Sequence, residues 1–286
     1  MPDGTSVVLR RHGNPSGPRI VFSHGNGLAA DLYYPLWSLL TDRFDLILHD
    51  LRNHGWNPVW ERRTHNFPAF VSDHQHIAAV IAARFGQKPL IGVFHSASGI
   101  SALLSQMADR STFAGLALLD LPVCPPGRSP GDLAAIGDVA AQRARQRITQ
   151  FGRRQDLTKA LSRSPSFRLI PAGTLELFGR TTLRASPWGG YELCCPPEYE
   201  AQIYEYGFGW AIQLHDTLER QGLSCPVKAI GSDPTMPYSF MPAMDLSNLV
   251  AMDYDFIPRS THFLPLEFPE ECAAMIVEFL DEHGLT

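Results

Sequence analysis

The chain has 286 residues, of which 44% are hydrophobic and 19% are charged, and its formal net charge is −5. This length and apolar content suit one large domain or a domain with an insertion, and they exclude a disordered chain. The charge excludes a nucleic-acid partner, because Arg143, Arg145 and Arg147 alternate with other residues and predict a solvated helix face rather than a basic footprint.

The sequence also bears on location and redox state. No stretch of about twenty apolar residues is present to span a bilayer, and the first residues, MPDG, lack the basic and apolar segments of a secretory signal. A cytoplasmic protein is therefore predicted. The five cysteines, with Cys194 and Cys195 adjacent, fit reduced thiols better than a disulfide framework. None has zinc-site spacing, so we expect no metal.

Short apolar runs alternate with helix-like stretches along the chain. The predicted strands are residues 6–10, 19–23, 46–49, 90–94, 116–119, 227–230 and 249–254. Helices are predicted at residues 67–85, 98–110 and about 270–280. Apolar runs without alternation are typical of parallel strands covered on both faces. The pattern therefore predicts the α/β class, with a doubly wound and mostly parallel sheet.

Ser96 lies where the apolar run LIGVFH (residues 90–95) breaks into a small-residue turn and then a helix-like stretch. Such a break lifts a serine side chain above the sheet edge, where a substrate can approach it. The first N–H groups of the following helix point at the same place. Ser96 is therefore a candidate nucleophile.

Three further motifs follow other predicted strands. The strand at 19–23 runs into His24-Gly25-Asn26-Gly27, a turn able to present backbone N–H groups, and the strand at 227–230 ends at Gly231-Ser232-Asp233. Near the end of the chain, Ser260-Thr261-His262-Phe263 precedes the last helix. Serine, then acid, then histidine is the chain order of one known triad architecture.

With these motifs the sequence resembles the α/β-hydrolase superfamily over nearly its whole length. Ser96 stands at the nucleophile elbow, and His24-Gly25 opens the oxyanion loop. Residues 50–55 (DLRNHG) match the D-x-R-x-H-G stretch at a strand end, and residues 261–269 match the closing histidine motif. The elbow departs from G-x-S-x-G, because Phe94 and Ser98 replace its two glycines.

The resemblance implies a core formed by residues 1–122 and 223–286, with residues 123–222 inserted as a helical cap before the acid-bearing strand. This insertion opens with Pro125-Pro126-Gly127 and is rich in aromatic residues near its end. Five of these aromatics are candidates to roof an apolar pocket. They are Phe167, Trp188, Tyr204, Phe208 and Trp210. The alternative is that they only pack the core of the cap.

A serine hydroxyl needs a base, and His262 is the best-placed one. Asp233 stands where the family's acid usually follows its strand, although only Ser232 separates it from Gly231 and the family more often has two residues there. Asp120, after the strand at 116–119, is the alternative acid, and we prefer Asp233. The backbone N–H groups of Asn26 and Ala97 are the candidates for an oxyanion hole.

The resemblance implies a cofactor-independent serine hydrolase that cleaves a small, largely apolar acyl substrate, most simply a carboxylic ester. A serine at the elbow argues against the branches that use aspartate there, the haloalkane dehalogenases and epoxide hydrolases. Two alternatives stay open. One is a C–C bond hydrolase that acts on a ketone or diketone with the same triad. The other is a non-catalytic ligand-binding protein, which Phe94 favours. The sequence makes no prediction of oligomeric state.

Overall fold

The computed structural model describes residues 1–124, 129–236, 239, 241, 244–249 and 251–286, without the side chains of Pro130 and Phe208. Ten strands lie in this described part. They are β1 (Leu9–Gly13), β2 (Arg19–Ser23), β3 (Asp45–His49), β4 (Leu90–His95), β5 (Gly115–Leu119), β6 (Gln150–Phe151), β7 (Leu183–Ala185), β8 (Tyr191–Leu193), β9 (Val227–Ser232) and β10 (Asp253–Ile257).

Nine α-helices lie in the same described residues. They are α1 (Tyr34–Trp37), α2 (Phe67–Phe85), α3 (Ala97–Ala108), α4 (Pro130–Arg145), α5 (Arg154–Leu161), α6 (Ala172–Thr181), α7 (Pro197–Gln221), α8 (Leu264–Glu267) and α9 (Pro269–Glu282). None of these helices combines the length and the apolar character that a membrane crossing requires.

The main sheet has the strand order β1-β3-β2-β4-β5-β9-β10. Strand β1 is antiparallel to β3, and the other neighbours are parallel. Strand β4 lies in the middle, with Val93 opposite Phe22 of β2 on one side and Ala117 of β5 on the other. The loops after β2 and β5 therefore flank the loop after β4, at the carboxyl edge where ligands bind in such sheets. The predicted α/β fold class is confirmed.

Two apolar clusters cover the two faces of this sheet. Because successive side chains of a strand point to opposite faces, Ile20 and Phe22 of β2 join one cluster and Val21 joins the other. The first cluster contains Phe279 of α9, and the second contains Leu103 of α3. Apolar runs without alternation were the signal for this double burial.

Helix α2 has the bounds that its sequence predicts. It begins after Asn66, whose side chain accepts a hydrogen bond from the Ala69 N–H (2.9 Å), and it ends at Gly86, where φ is 85°. Phe70, Ile77 and Ile81 recur at helical spacing and are buried. The caps and the apolar face of this helix are both local in sequence.

The last strand of the sheet departs from its prediction. A strand was expected at residues 249–254, but β10 begins at Asp253 and runs to Ile257. Val250 of the predicted strand lies outside the described residues. The apolar residues Leu249 and Met252 instead lie in turns and are buried against the core.

The segment between β5 and β9 holds helices α4 to α7 and a small antiparallel sheet. Strand β8 pairs with β6 on one side and with β7 on the other. Helices α4 and α7 pack against each other. Only helices were predicted here, because strands of two or three residues leave no periodic pattern. The opening Pro125-Pro126-Gly127 lies outside the described residues.

Candidate active site

Ser96 connects β4 to α3 in a strained conformation. Its φ of 53° and ψ of −118° are unusual for a residue with a side chain, and such strain costs about 1–3 kcal/mol. Two hydrogen bonds hold the turn: the Ser96 N–H donates to the Leu119 carbonyl (3.0 Å), and the Ser96 carbonyl accepts from the Ile100 N–H (3.1 Å). The structure therefore places Ser96 in the sharp strand-to-helix turn that the sequence predicts.

The turn at Ser96 has Phe94 and Ser98 at the two positions where the family pattern has glycine, and the surrounding residues accommodate both side chains. Phe94 is fully buried, and a Cβ on Gly92 would lie only 2.4 Å from its ring. Gly92 thus makes room for the ring on the same face of β4. Ser98 Oγ donates to the His95 carbonyl (2.9 Å) and accepts from the His95 N–H (3.1 Å). Both departures from the family pattern are compatible with the turn.

The imidazole of His262 is held by an acid, and that acid is Asp120. His262 Nδ1 lies 2.5 Å from Asp120 Oδ2, and both side chains are less than one-tenth exposed. The other carboxylate oxygen, Oδ1, accepts from the Ser232 N–H (2.7 Å). With both oxygens bonded, the Asp120 carboxylate has a fixed orientation. The alternative acid of the sequence analysis therefore occupies the position beside His262.

Asp233, the acid preferred from the sequence, has other partners. Its Oδ1 accepts from the Thr235 N–H (2.8 Å) and hydroxyl (2.7 Å), and its Oδ2 accepts from the Arg259 N–H (2.6 Å). The Thr235 and Arg259 hydrogen bonds lower the pKa of the Asp233 carboxyl. The expectation that Asp233 contacts His262 is thus wrong, because this carboxylate caps the loops after β9 and β10.

The loop that carries His262 is anchored just before helix α8. The N–H and hydroxyl of Thr261 donate to the two oxygens of Glu267, at 2.7 and 2.6 Å. Burial raises the pKa of the Glu267 carboxyl. The His262 N–H donates to Ser239 Oγ (3.1 Å). These bonds fix the backbone on both sides of the imidazole.

A hydrogen-bonded chain joins the loop after β2 to His262. The Gly25 N–H donates to Tyr33 Oη (3.2 Å), which lies 2.6 Å from His95 Nδ1, and His95 Nε2 lies 2.9 Å from the His262 carbonyl. A carbonyl only accepts, so His95 carries its proton on Nε2, and Nδ1 accepts from the Tyr33 hydroxyl. His95 is therefore a structural link between the loops around Ser96.

Asn26 and Ala97, the predicted oxyanion-hole residues, both lie beside Ser96 at the wall of a small cavity. Ala97 is the first residue of α3, so its N–H has no acceptor within the helix. Gly25 brings the loop close, since a Cβ there would lie 3.3 Å from Ser96 Cβ. The Asn26 side chain donates to the Glu200 carbonyl of α7 (2.8 Å).

His54, in the DLRNHG stretch, supports this loop from behind. Its Nε2 accepts from the Gly27 N–H (2.9 Å), and its Nδ1 bonds to the Arg52 carbonyl (3.0 Å). Burial lowers the pKa of His54 to about 3. Potential ligand atoms of His54, His65 and Cys195 lie within 4.8 Å of one another. Since both nitrogens of His54 are already bonded, this ring offers no free lone pair to a metal.

A cavity of about 460 Å³ is lined by Ser96 and His262 and by residues of the segment between β5 and β9. Apolar side chains form one wall, namely Leu28, Leu161, Phe167, Phe178 and Phe263. Of the five aromatics expected to roof a pocket, Phe167 and Tyr204 line this cavity. The other three are placed differently. Trp188 is 91% exposed, Trp210 packs against Phe67, and the side chain of Phe208 lies outside the description.

The cavity also has charged walls that the sequence analysis missed. Arg143, Arg147 and Glu200 all line it, and Arg147 bonds to the Glu200 carboxylate at 2.5 Å. Arg145 instead pairs with two glutamates of α7. The expectation of one solvated face for the three arginines is therefore wrong, because helical spacing turns Arg145 toward α7 while Arg143 and Arg147 line the cavity.

Comparison with known proteins identifies the family of the chain. A family model described as "Alpha/beta hydrolase family" matches residues 20–275. The abhydrolase domain-containing protein ACTT2 of Alternaria alternata is 25% identical over 228 residues, which cover 68% of this chain and 84% of that protein.

Solved structures share the fold at low sequence identity. E-2-(acetamidomethylene)succinate hydrolase superposes with a TM-score of 0.78 at 18% identity, covering 97% of this chain and 96% of that one. The N-formylmaleamic acid deformylase of Pseudomonas putida has a TM-score of 0.65 at 16% identity, with 96% and 97% covered. A carboxylesterase of the thaumarchaeon Nitrososphaera gargenis gives 0.69 at 15%, with 98% and 96% covered. The family match runs from β2 into α9, so the chain belongs to the alpha/beta hydrolase family.

Proposed function

We propose that the protein is a serine hydrolase that cleaves a small acyl compound, most simply a carboxylic ester, through Ser96, His262 and Asp120. The observation that carries this proposal is the 2.5 Å contact between His262 Nδ1 and Asp120 Oδ2, in a cavity that also contains Ser96. Each residue has a separate role in the reaction.

Asp120 sets the tautomer of His262. The carboxylate accepts a hydrogen bond from Nδ1–H, so the proton stays on Nδ1 and the unprotonated Nε2 acts as the base. The fixed orientation of the Asp120 carboxylate keeps the imidazole in this form. The same carboxylate stabilises the imidazolium that forms when Nε2 takes a proton.

The first half of the reaction forms an acyl-enzyme. Ser96 Oγ attacks the carbonyl carbon while its proton passes to His262 Nε2, and the carbonyl oxygen becomes an oxyanion. The N–H groups of Asn26 and Ala97 donate to this oxyanion, and each such donor is worth about 3–4 kcal/mol in comparable sites. The intermediate collapses, and His262 returns the proton to the leaving alcohol.

The second half restores the enzyme. Water gives one proton to His262 Nε2 and attacks the carbonyl carbon of the acyl-Ser96 ester. The oxyanion forms again in the same hole. Its collapse breaks the bond to Ser96 Oγ, which recovers the proton from His262 and releases the carboxylic acid. The reaction needs no cofactor.

The decisive experiment combines covalent labelling with turnover. We expect a fluorophosphonate probe to form one adduct on Ser96 of the folded protein, located by peptide mass spectrometry, and Ser96→Ala to abolish it together with ester hydrolysis. An unlabelled folded protein would support a ligand-binding role instead. A vinylogous diketone assayed beside p-nitrophenyl esters tests the C–C hydrolase alternative, which requires the diketone to be turned over far faster.

A further inference from the structure

We propose that the substrate carries a carboxylate group, which Arg143 binds at the side of the cavity formed by α4. The inference rests on the proposed function, because it identifies which acyl compounds reach Ser96. It also replaces the expectation of a largely apolar substrate with one that is apolar along its chain and anionic at one end.

One face of α4 and the residues after it forms this side of the cavity. Ala140, Arg143, Ala144 and Arg147 all line the cavity, and their spacing of three and four residues places them on the same side. The two alanines are small, so they leave the space beside the guanidinium groups open. Arg145 lies on another face and bonds to Glu198 and Glu205.

Among the described residues, the charges of this wall do not cancel. Arg147 is neutralised by Glu200, whose side chain is only 5% exposed. Arg143 has no acidic partner in the described part of the chain, and the residues outside that part include no aspartate or glutamate. The wall therefore has a surplus of one positive charge, which a single carboxylate would balance.

Hydroxyl groups that line the same cavity as Arg143 fit the same ligand. Ser164 and Ser166 line the cavity, and their hydroxyl groups can donate to anionic oxygens. An arginine offers paired N–H donors that match the two oxygens of a carboxylate.

The apolar side chains of the cavity indicate that the substrate is apolar between its carbonyl and its carboxylate. Phe167, Phe178 and Phe263 line the same cavity as Arg143 and Ser96. A short methylene chain would contact these rings, with the reacting carbonyl at Ser96 and the carboxylate at Arg143. Half-esters of short dicarboxylic acids have this form. A cavity of about 460 Å³ lies within the usual size for small-molecule sites.

The test compares two esters that differ only in this charge. Monoethyl glutarate and ethyl pentanoate have the same acyl length, but glutarate has a carboxylate in place of the terminal methyl group. We expect kcat/KM, measured by ethanol release, to be about tenfold or more higher for monoethyl glutarate. Arg143→Gln lowers the ratio of the two kcat/KM values by about the same factor, mainly through KM, and Arg143→Lys restores part of it.

Arg145→Gln is the matched control, because it removes a neighbouring arginine that does not line the cavity, and we expect it to keep the wild-type ratio. Calorimetric binding of glutarate to Ser96→Ala, with and without Arg143→Gln, gives a readout that needs no turnover. If Ser96 is labelled and both esters react equally, or if Arg143→Gln keeps the ratio, the carboxylate proposal is wrong while the proposed function stands. Failure of labelling and of all hydrolysis would instead refute the proposed function.

Discussion

His262 Nδ1 and Asp120 Oδ2 lie 2.5 Å apart, although 142 residues separate them in the chain. Asp120 follows β5 with a φ of 41°, and Ser96 follows the neighbouring β4 with a φ of 53°. Both strands thus end in backbone conformations that are unusual for residues with side chains. Two adjacent strand ends are therefore shaped to direct polar side chains toward one point at the sheet edge.

Asp120→Asn tests the role of this contact. An asparagine keeps the size of the side chain but removes the charge that favours protonation of His262 Nδ1, so the wrong tautomer is populated. We expect kcat for ester hydrolysis to fall by about 10⁴, as in a serine protease with the same change. Asp233→Asn is the control, and steady-state kinetics should show a much smaller loss. A larger loss for Asp233→Asn would reverse the assignment.

The choice between the two acids shows where sequence reasoning ends. Both were candidates, because the resemblance implies an acid after one of these two predicted strands. The run at 227–230 is extended in the structure, since β9 continues to Ser232. Asp233 thereby passes the sheet edge and reaches the Arg259 N–H across the next loop. The direction of a side chain at a strand end depends on where the strand ends and on which groups of the next loop it meets. The spacing of motifs in the sequence gives neither.

More of the fold than of the cavity could be predicted from the sequence. Strands β2 to β5 are marked by continuous apolar runs, and α2 is marked by Asn66 and Gly86 at its two ends, which are local signals. The side of α4 that faces the cavity is decided by its contact with α7, some fifty residues later. Helical spacing places Arg143 and Arg145 on different faces, but which of those faces lines the cavity could only be found in the structure.

Gly92 and Phe94 should be energetically coupled. Alanine at position 92 places a Cβ 2.4 Å from the Phe94 ring and 2.6 Å from Leu116, so we expect Gly92→Ala to destabilise the fold by about 1–3 kcal/mol in urea unfolding. In a Phe94→Ala background the same change should cost less, since the ring is gone. Gly173→Ala, at a helical position with open space, is the control and should not destabilise. Additive effects at 92 and 94 would contradict this explanation.

Tyr33→Phe tests the hydrogen-bonded chain that joins the loop after β2 to His262. Tyr33→Phe leaves the Gly25 N–H and His95 Nδ1 without the hydroxyl that bonds to both of them inside a buried site, and such a loss costs about 1–3 kcal/mol of stability. We also expect kcat to fall by about tenfold, or ~1.4 kcal/mol in the barrier, because the Asn26 loop and His262 lose their shared support. The neighbouring Tyr34→Phe changes an exposed ring and should leave both values as in the wild type. Equal effects of the two substitutions would refute the link.

Because several histidines are buried, we expect the free energy of unfolding to fall in acid. Burial lowers the pKa of His49 to about 4, and those of His24 and His54 to about 3. In the unfolded chain these rings take up protons near pH ~6.5. Between pH 6.5 and 4 the unfolded state therefore binds more protons, and each such histidine removes about 1.4 kcal/mol of stability per pH unit as pH falls.

His49→Asn isolates one of these groups. We expect the plot of unfolding free energy against pH to be flatter by about one proton between pH 6.5 and 4, as measured by urea unfolding at a series of pH values. His283→Asn, at an exposed position in the last turn of the chain, is the control and should keep the wild-type slope. Parallel curves for wild type and His49→Asn would show that this ring is not the source.

Glu200→Gln removes a negative charge from the cavity wall, whereas Arg143→Gln removes a positive one, so the two variants should change the substrate preference in opposite directions. The substitution keeps the side-chain volume beside Gly27 and the backbone carbonyl that accepts from Asn26, but it removes the charge that neutralises Arg147. With two uncompensated arginines, the ratio of kcat/KM for monoethyl glutarate to that for ethyl pentanoate should rise by about two- to tenfold. Glu198→Gln removes a half-exposed partner of Arg145 outside the cavity and should keep the wild-type ratio. A fall in the ratio for Glu200→Gln would mean that Glu200 holds Arg147 in its binding position, rather than opposing the substrate's charge.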